Sequence, residues 1–307
     1  MIGKTIFIGQ PAKLSLAMGQ MVLERKEVEP FKTSLPIEDL GLLVLEHPQI
    51  SLTHGLLACL MNHKVAVVTC DAQYMPCGLL LPLEGHSVHT ERMHIQLKSS
   101  KPLNKQLWQQ TVQAKIQNQA ALLCQKGLMS KPLEMLVTKV KSGDPTNCEA
   151  QAAAYYWDHL MGPEFLRVRE PQYPNGALNY GYAIVRALMA RAIVATGLLP
   201  SMGIFHHNKY NAFCLADDLM EPYRPFVDQV VLNQCVPPET DIDIGLTMAQ
   251  KKVLLALPQL TLQMEGLQRP LFHAVGITAH SLFKCYAGEK RKLSFPHFPI
   301  TTDHAPE

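Results

Sequence analysis

The segment Asp217-Asp218-Leu219-Met220-Glu221-Pro222 sets carboxylates three residues apart at 218 and 221, which share one face if the segment is helical. Carboxylates placed so repel and raise each other's pKa unless a cation neutralises them. His206 and His207 follow Met202-Gly203-Ile204-Phe205, at an element edge from which a side chain can reach a cleft. Neighbouring side chains diverge on strand or helix alike, so at most one of the two histidines serves a given site. Glu149 stands near the start of a small, apolar helical segment, Ala150-Gln151-Ala152-Ala153-Ala154-Tyr155-Tyr156-Trp157. There it is partly buried unless something cationic meets it, or it is an ordinary glutamate favoured by a helix N-terminus. Oxygen donors with one imidazole suit Mg²⁺ or Mn²⁺ better than structural zinc. Spacing alone does not join these residues into one site.

Elements must position them, and the chain changes texture to do so. The first ninety residues read as strands: Ala12-Lys13-Leu14-Ser15-Leu16 alternates, a turn at Met18-Gly19-Gln20 precedes Met21-Val22-Leu23, and apolar runs follow at Leu42–Leu45, Val65–Cys70 and Leu79–Leu83. Ser51–Asn62 is predicted as a short helix capped by its serine. Glu84–Lys98 is polar without a sustained period and reads as a linker. Beyond it, helices are predicted over Pro102–Lys126, Lys131–Val140, and from an Asp144-Pro145 cap through Leu160. Others follow from Pro174-Asn175-Gly176 to Thr196, over Leu246–Leu257 and over Leu271–Tyr286. The expected class is α+β: a small N-terminal β-rich domain (1–84), a linker (85–100) and a larger all-α domain (101–307).

Composition narrows the class. At 47% hydrophobic and 18% charged the chain can bury a core. The eight cysteines form no C-x-x-C pair, and neither a G-x-G-x-x-G nor a P-loop is present. Cys124, Cys148 and Cys214 lie in apolar helical contexts and are expected in the core. Met1-Ile2-Gly3-Lys4 runs straight into strand-like sequence, and the greasy stretch Ala183–Leu199 is interrupted by Arg186 and Arg191. A cytoplasmic protein with free thiols and no membrane partner is therefore expected. A net charge of +2 conceals two opposed blocks. Residues 98–141 hold eight lysines and one acid, Glu134, whereas 215–243 holds seven acids (Asp217, Asp218, Glu221, Asp228, Glu239, Asp241, Asp243) and one base, Arg224. The first block can neutralise phosphates or be a solvated helix face; the second can serve a cation or be plain surface.

The segment Gly203-Ile204-Phe205-His206-His207-Asn208-Lys209-Tyr210-Asn211 through Asp217-Asp218-Leu219-Met220-Glu221-Pro222-Tyr223-Arg224-Pro225 resembles the signature of the CRISPR-associated adaptation integrase. This is the universal Cas endonuclease that inserts spacers into the array, and the version here is similar to type II. Glu149-Ala150-Gln151-Ala152-Ala153-Ala154-Tyr155-Tyr156 and Asn179-Tyr180-Gly181-Tyr182-Ala183-Ile184 match in order, as do Pro11–Leu16 and Glu84-Gly85-His86. The resemblance implies a β domain followed by a helical catalytic domain, with Glu149, His206 and Glu221 as catalytic residues and ligands to Mg²⁺ or Mn²⁺. It leaves Asp218, His207, Asn179, Tyr180 and Arg224 as supporting or DNA-contacting residues.

The implied reaction is attack of a spacer precursor's 3′-hydroxyl on a phosphate of the CRISPR repeat. The implied partners are DNA, a second copy in a homodimer, a smaller dimeric adaptation subunit completing a heterohexamer, and type II effector proteins. Two other classes compete: a DNA-binding scaffold without catalysis, and an unrelated helical metallohydrolase of small phosphoesters.

Overall fold

The computed structural model describes residues 3–25, 31–170, 172–235 and 245–299. Glu239, Asp241 and Asp243 of the acidic block lie outside them. Among the described residues no helix is long and apolar enough to cross a membrane.

Ten strands and ten α-helices are described, the strands mostly N-terminal and the helices mostly C-terminal. One four-stranded sheet has the order β1 (Lys4–Ile8), β5 (Leu40–Leu45), β7 (Ala66–Cys70), β8 (Pro76–Leu80), with the first three parallel and β8 antiparallel. A second has the order β4 (Phe31–Pro36), β3 (Gln20–Arg25), β2 (Ala12–Ala17), β6 (Ile50–Leu52). The first sheet is covered on both faces, which is why β5 is buried at every position and shows no polar alternation. Successive side chains point to opposite faces. Leu42, Val44, Ala66 and Val68 enter the helical core, while Leu43, Leu45, Val65 and Val67 enter the core shared with the second sheet and helix α1 (His54–Asn62). Each fully buried Leu or Val contributes roughly 1.5–3 kcal/mol, so this sheet welds the two regions together.

The helical region follows the sequence closely in α3 (Lys101–Gln125), α4 (Lys131–Lys139), α6 (Asn175–Ala195) and α10 (Leu271–Tyr286). Helix α7 (Cys214–Met220) runs through a 3₁₀ turn, Glu221–Tyr223, into α8 (Arg224–Gln234), and α9 is Met248–Leu255.

Several expectations are corrected. The N-terminus of α1 is capped by Thr53, whose hydroxyl accepts from Leu56 N, because Ser51 is spent in β6. Helix α5 (Cys148–Met161) starts after Asn147, not after Asp144; yet the Asp144 carboxylate still accepts from Cys148 N and Glu149 N at 2.8 and 2.9 Å. Cys124 is exposed, unlike Cys148 and Cys214, because it falls on the outer face of α3. The polar stretch read as linker contains α2 (His89–Leu97). Its one buried residue is the polar Gln96, which accepts from Leu199 N and donates to Leu199 O and Met202 O, so no apolar period betrays the helix. The hairpin β9 (Thr261–Met264) and β10 (Leu267–Pro270) falls between the helices expected over Leu246–Leu257 and Leu271–Tyr286, so the region from 101 onward is mostly rather than purely helical.

A buried ion pair joins the two regions: Lys251 of α9 meets Glu46, just past β5, at 2.6 Å, with side chains 7% and 5% exposed. Removing one partner of such a pair strands the other charge and costs about 3–5 kcal/mol, whereas apolar replacement of both is often close to neutral. Lys251→Met should therefore lower the urea-unfolding free energy by about that amount. Glu46→Leu/Lys251→Met should recover most of the loss, and a double variant as unstable as the single would contradict the argument.

Candidate active site

Helix α3 is the spine of the site. Trp108 and Lys115 lie seven residues apart, two turns along one face, and both are buried. Seven of the lysines in the basic block, at 98, 101, 105, 126, 131, 139 and 141, are exposed; Lys115 is the buried one. Its ammonium lies 2.7 Å from Glu149 Oε1 and 2.6 Å from Glu221 Oε2. Arg224 approaches the other Glu221 oxygen at 3.0 Å.

Glu149 reaches this point from the first turn of α5, where Asp144 and Asn147 satisfy the free N–H groups. Glu221 reaches it from the 3₁₀ turn that Pro222 helps form. Asn118 of α3 donates to Pro222 O at 2.8 Å, fixing that turn against the spine. Glu221 Oε2 meets the same ammonium as an ion pair, the shorter of the two contacts. Burial works to raise the Glu221 pKa, but Arg224 and Lys115 outweigh it and hold the carboxyl below the usual range. Burial likewise opposes the Lys115 charge, and Glu221 and Glu149 overcome it, so its pKa is raised. Both directions agree that the ions are charged.

His206 is held by a different acid. Asp218 is wholly buried, and one of its oxygens lies 2.5 Å from His206 Nδ1. Its carboxylate also accepts from Phe205 N at 2.9 Å and from His206 N at 3.3 and 3.4 Å. Nδ1–H is thereby committed to Asp218, leaving Nε2 as the free ring nitrogen. The hydrogen bond to Asp218 outweighs burial and raises the His206 pKa, with Glu221 and Glu149 adding to the effect. Gly203 is required by close approach, since a Cβ there would stand 2.2 Å from His206 O and 2.9 Å from Asp218 Oδ2. Phe205 stacks on Trp108 with ring centroids 4.4 Å apart, and His206 meets the same indole edge-on at 5.5 Å. The loop is pinned at its far end as well. Asp217 binds Arg186 of α6 at 2.6 and 2.9 Å and accepts from Asn211 at 2.7 Å, which gives the arginine inside the greasy stretch its partner.

The remaining candidates fall at different distances from this centre. His207 is exposed on the loop. Asn179 accepts from Arg167 at 2.7 Å and donates to Glu170 O, tying down the loop before α6. Arg167 and Arg224 both lie against the Tyr182 ring, at 5.1 and 4.7 Å. Tyr180 points elsewhere: it is fully buried, its hydroxyl has no hydrogen-bond partner, and burial with the neighbouring Cys70 and Glu46 pushes its pKa far up. Its neighbourhood is the seam with the first sheet. Lys115 and Trp108 were not singled out from the sequence; a lysine flanked by alanine and isoleucine in a Gln-rich helix was the one available signal for the first.

Chemically, two carboxylates from separate elements converge on one cation while an oriented imidazole stands nearby. That donor chemistry fits a hard divalent ion, with the two carboxylate oxygens that now face Lys115 as the donors that would hold it. Among the described residues no three His, Cys, Asp or Glu side chains close around a common point, because Glu149 and Glu221 close on Lys115 instead.

A β-rich region followed by a helical region that carries Glu149, His206 and Glu221 is the fold class observed, and the comparisons specify the family. Residues 6–238 match the family described as CRISPR associated protein Cas1, and the chain belongs to that family. It is 39% identical over 235 residues, 76% of either chain, to a CRISPR-associated endonuclease Cas1 of Neisseria meningitidis serogroup C. The fold is shared with a casposase bound to integration product (TM-score 0.76, 20% identity, 94% of this chain and 92% of that one). It is also shared with a chain of a Cas6-RT-Cas1–Cas2 complex (TM-score 0.72, 19% identity, 94% of this chain and 35% of that one).

Beside the site, Asp228 of α8 accepts from the Tyr156 and Tyr182 hydroxyls, at 2.8 and 2.5 Å. Burial pushes its carboxyl up to about 6, against the pull of both tyrosines and of Arg224 and Arg167. An unfolded aspartate titrates near 3.9. Between those values the folded chain holds a proton that the unfolded chain has released, so the stabilisation is full below about pH 4 and lost as pH rises through about 6. Two pKa units correspond to about 3 kcal/mol. Urea unfolding of wild type and Asp228→Asn from pH 4 to 7 should show the wild-type advantage shrinking by up to that amount. A constant difference across the range would refute it.

Proposed function

We propose that this chain is a metal-dependent DNA endonuclease and integrase of CRISPR adaptation, joining a spacer precursor to the repeat by transesterification. The observation that carries the reading is the convergence of Glu149 and Glu221 beside a His206 oriented by buried Asp218, in a chain of the Cas1 family. Glu149, Glu221 and His206 Nε2 would hold Mg²⁺ or Mn²⁺, which when bound polarises a repeat phosphate and favours the deprotonated 3′-hydroxyl. The incoming strand's 3′-oxygen forms the new bond to phosphorus as the bond to the repeat strand's own 3′-oxygen breaks, and that oxygen departs with a proton.

The side chains divide the remaining work. Asp218 fixes the imidazole's tautomer and rotation, so that Nε2 needs no reorientation. Trp108 and Phe205 hold the loop and keep water from one side of the ring. Arg224 is placed to meet charge developing on phosphate oxygens, provided its contact with Glu221 is shared. The exposed lysines of α3 and α4 offer backbone-phosphate contacts that carry no sequence information.

The resemblance to a Cas1–Cas2 complex and to a casposase with its DNA product supports the proposed partners. These are the spacer precursor and repeat DNA, a homodimer formed through the β-rich region, and a dimer of the smaller adaptation subunit that completes a heterohexamer. Type II effector proteins are proposed as further assistants.

A half-site integration assay with the purified smaller subunit tests the reading. His206→Ala and Glu221→Ala should abolish joining while leaving duplex binding unchanged in a gel-shift assay, and chelation should stop the wild type. Asp218→Asn, which keeps the shape but not the charge behind the imidazole, should lower the rate about 10- to 100-fold. Joining by His206→Ala at the wild-type rate would reject the assignment.

A further inference from the structure

We infer that Lys115 is a built-in counter-ion that occupies the carboxylate pair until a divalent cation displaces it. The inference rests on the proposed metal role of Glu149 and Glu221, and it adds a competitor to that site. One ammonium touches an oxygen of each carboxylate, at 2.7 and 2.6 Å, with the three side chains only 11%, 20% and 7% exposed. Two acids facing each other at this depth repel unless a positive charge lies between them. Lys115 supplies that charge from within the chain, so the acids stay ionised and aimed at each other before any ion arrives.

The same geometry makes the arrangement exchangeable. Glu149 and Glu221 hold the ammonium through ion pairs of nearly equal length, so neither fixes it alone. The α3 backbone beneath is clamped by the Trp108 stack and by the bonds from Asn118 to Pro222 O and Pro296 O. Displacement therefore falls to the flexible four-carbon stem of Lys115, which can carry the ammonium out towards the mouth of the site. An ammonium and a dication cannot both sit between the two acids. Binding of one opposes binding of the other, and the competition is reciprocal.

Mn²⁺ alone, titrated into metal-free protein and followed by the electron paramagnetic resonance of free Mn²⁺, tests this without any reaction. Wild type should bind, Glu149→Gln/Glu221→Gln should not, and Lys115→Met should bind about tenfold more tightly than wild type. Lys115→Gln, which keeps a donor for Glu149, is titrated in parallel and should also bind more tightly. In the wild type, Mg²⁺ should expose Lys115 to an amine-acetylating reagent from which it is otherwise protected, read by peptide mass spectrometry. Wild-type binding with equal or weaker affinity in the lysine variants, or Lys115 protection unchanged by saturating Mg²⁺, would overturn the inference while leaving the metal reading intact. No Mn²⁺ bound by folded wild type would overturn the metal reading itself, and this inference with it.

Discussion

The geometry of the site depends on one electrostatic problem, the placing of two acidic side chains face to face where little water reaches them. An isolated buried carboxylate is costly, and a second beside it is more so. The chain answers with two cations and a helix N-terminus around Glu221 and Glu149: Lys115 between them, Arg224 flanking one, and the first turn of α5 carrying the other. The charged groups are tied to a helix that also holds the histidine loop. Trp108, Lys115 and Asn118 thus couple the aromatic stack, the carboxylate pair and the 3₁₀ turn through a single rigid element.

A second acid-centred arrangement gives the imidazole its direction. Asp218 is surrounded by two backbone amides and a ring nitrogen, so its orientation is over-determined, and Gly203 leaves the space that this crowding needs. The neighbouring Asp217 faces away and anchors to Arg186. Two adjacent aspartates therefore serve opposite ends of one loop, as expected for consecutive residues in the middle of a short helix.

Much of this architecture was legible in the sequence, for identifiable reasons. Long helices such as α3 and α6 are bounded by proline, serine and glycine signals, and the apolar stretches Leu42–Leu45 of β5 and Ala66–Val68 of β7 lack the polar alternation of a half-exposed strand. The acids and the histidine stood out because their types are chemically demanding. Lys115 did not, since one buried lysine among eight is invisible until packing shows which face of α3 is inward. Helix α2 escaped because its buried residue is a glutamine that binds backbone groups of a loop a hundred residues away. Tyr180 follows a site-like asparagine, yet one step along a helix turns a side chain by about 100° and sends it to the seam with the sheet.

The sheet that separates the two cores also separates what each residue of β5 and β7 can influence. Val44 and Val68 face the helical core, where β7 packs against α6, whereas Leu43 and Val67, one position away, face the other sheet. A volume change at an even-numbered position is felt in the helical core, and the same change next door is absorbed among the N-terminal strands. A single strand thus works as a two-sided gasket, one row of its side chains sealing each core.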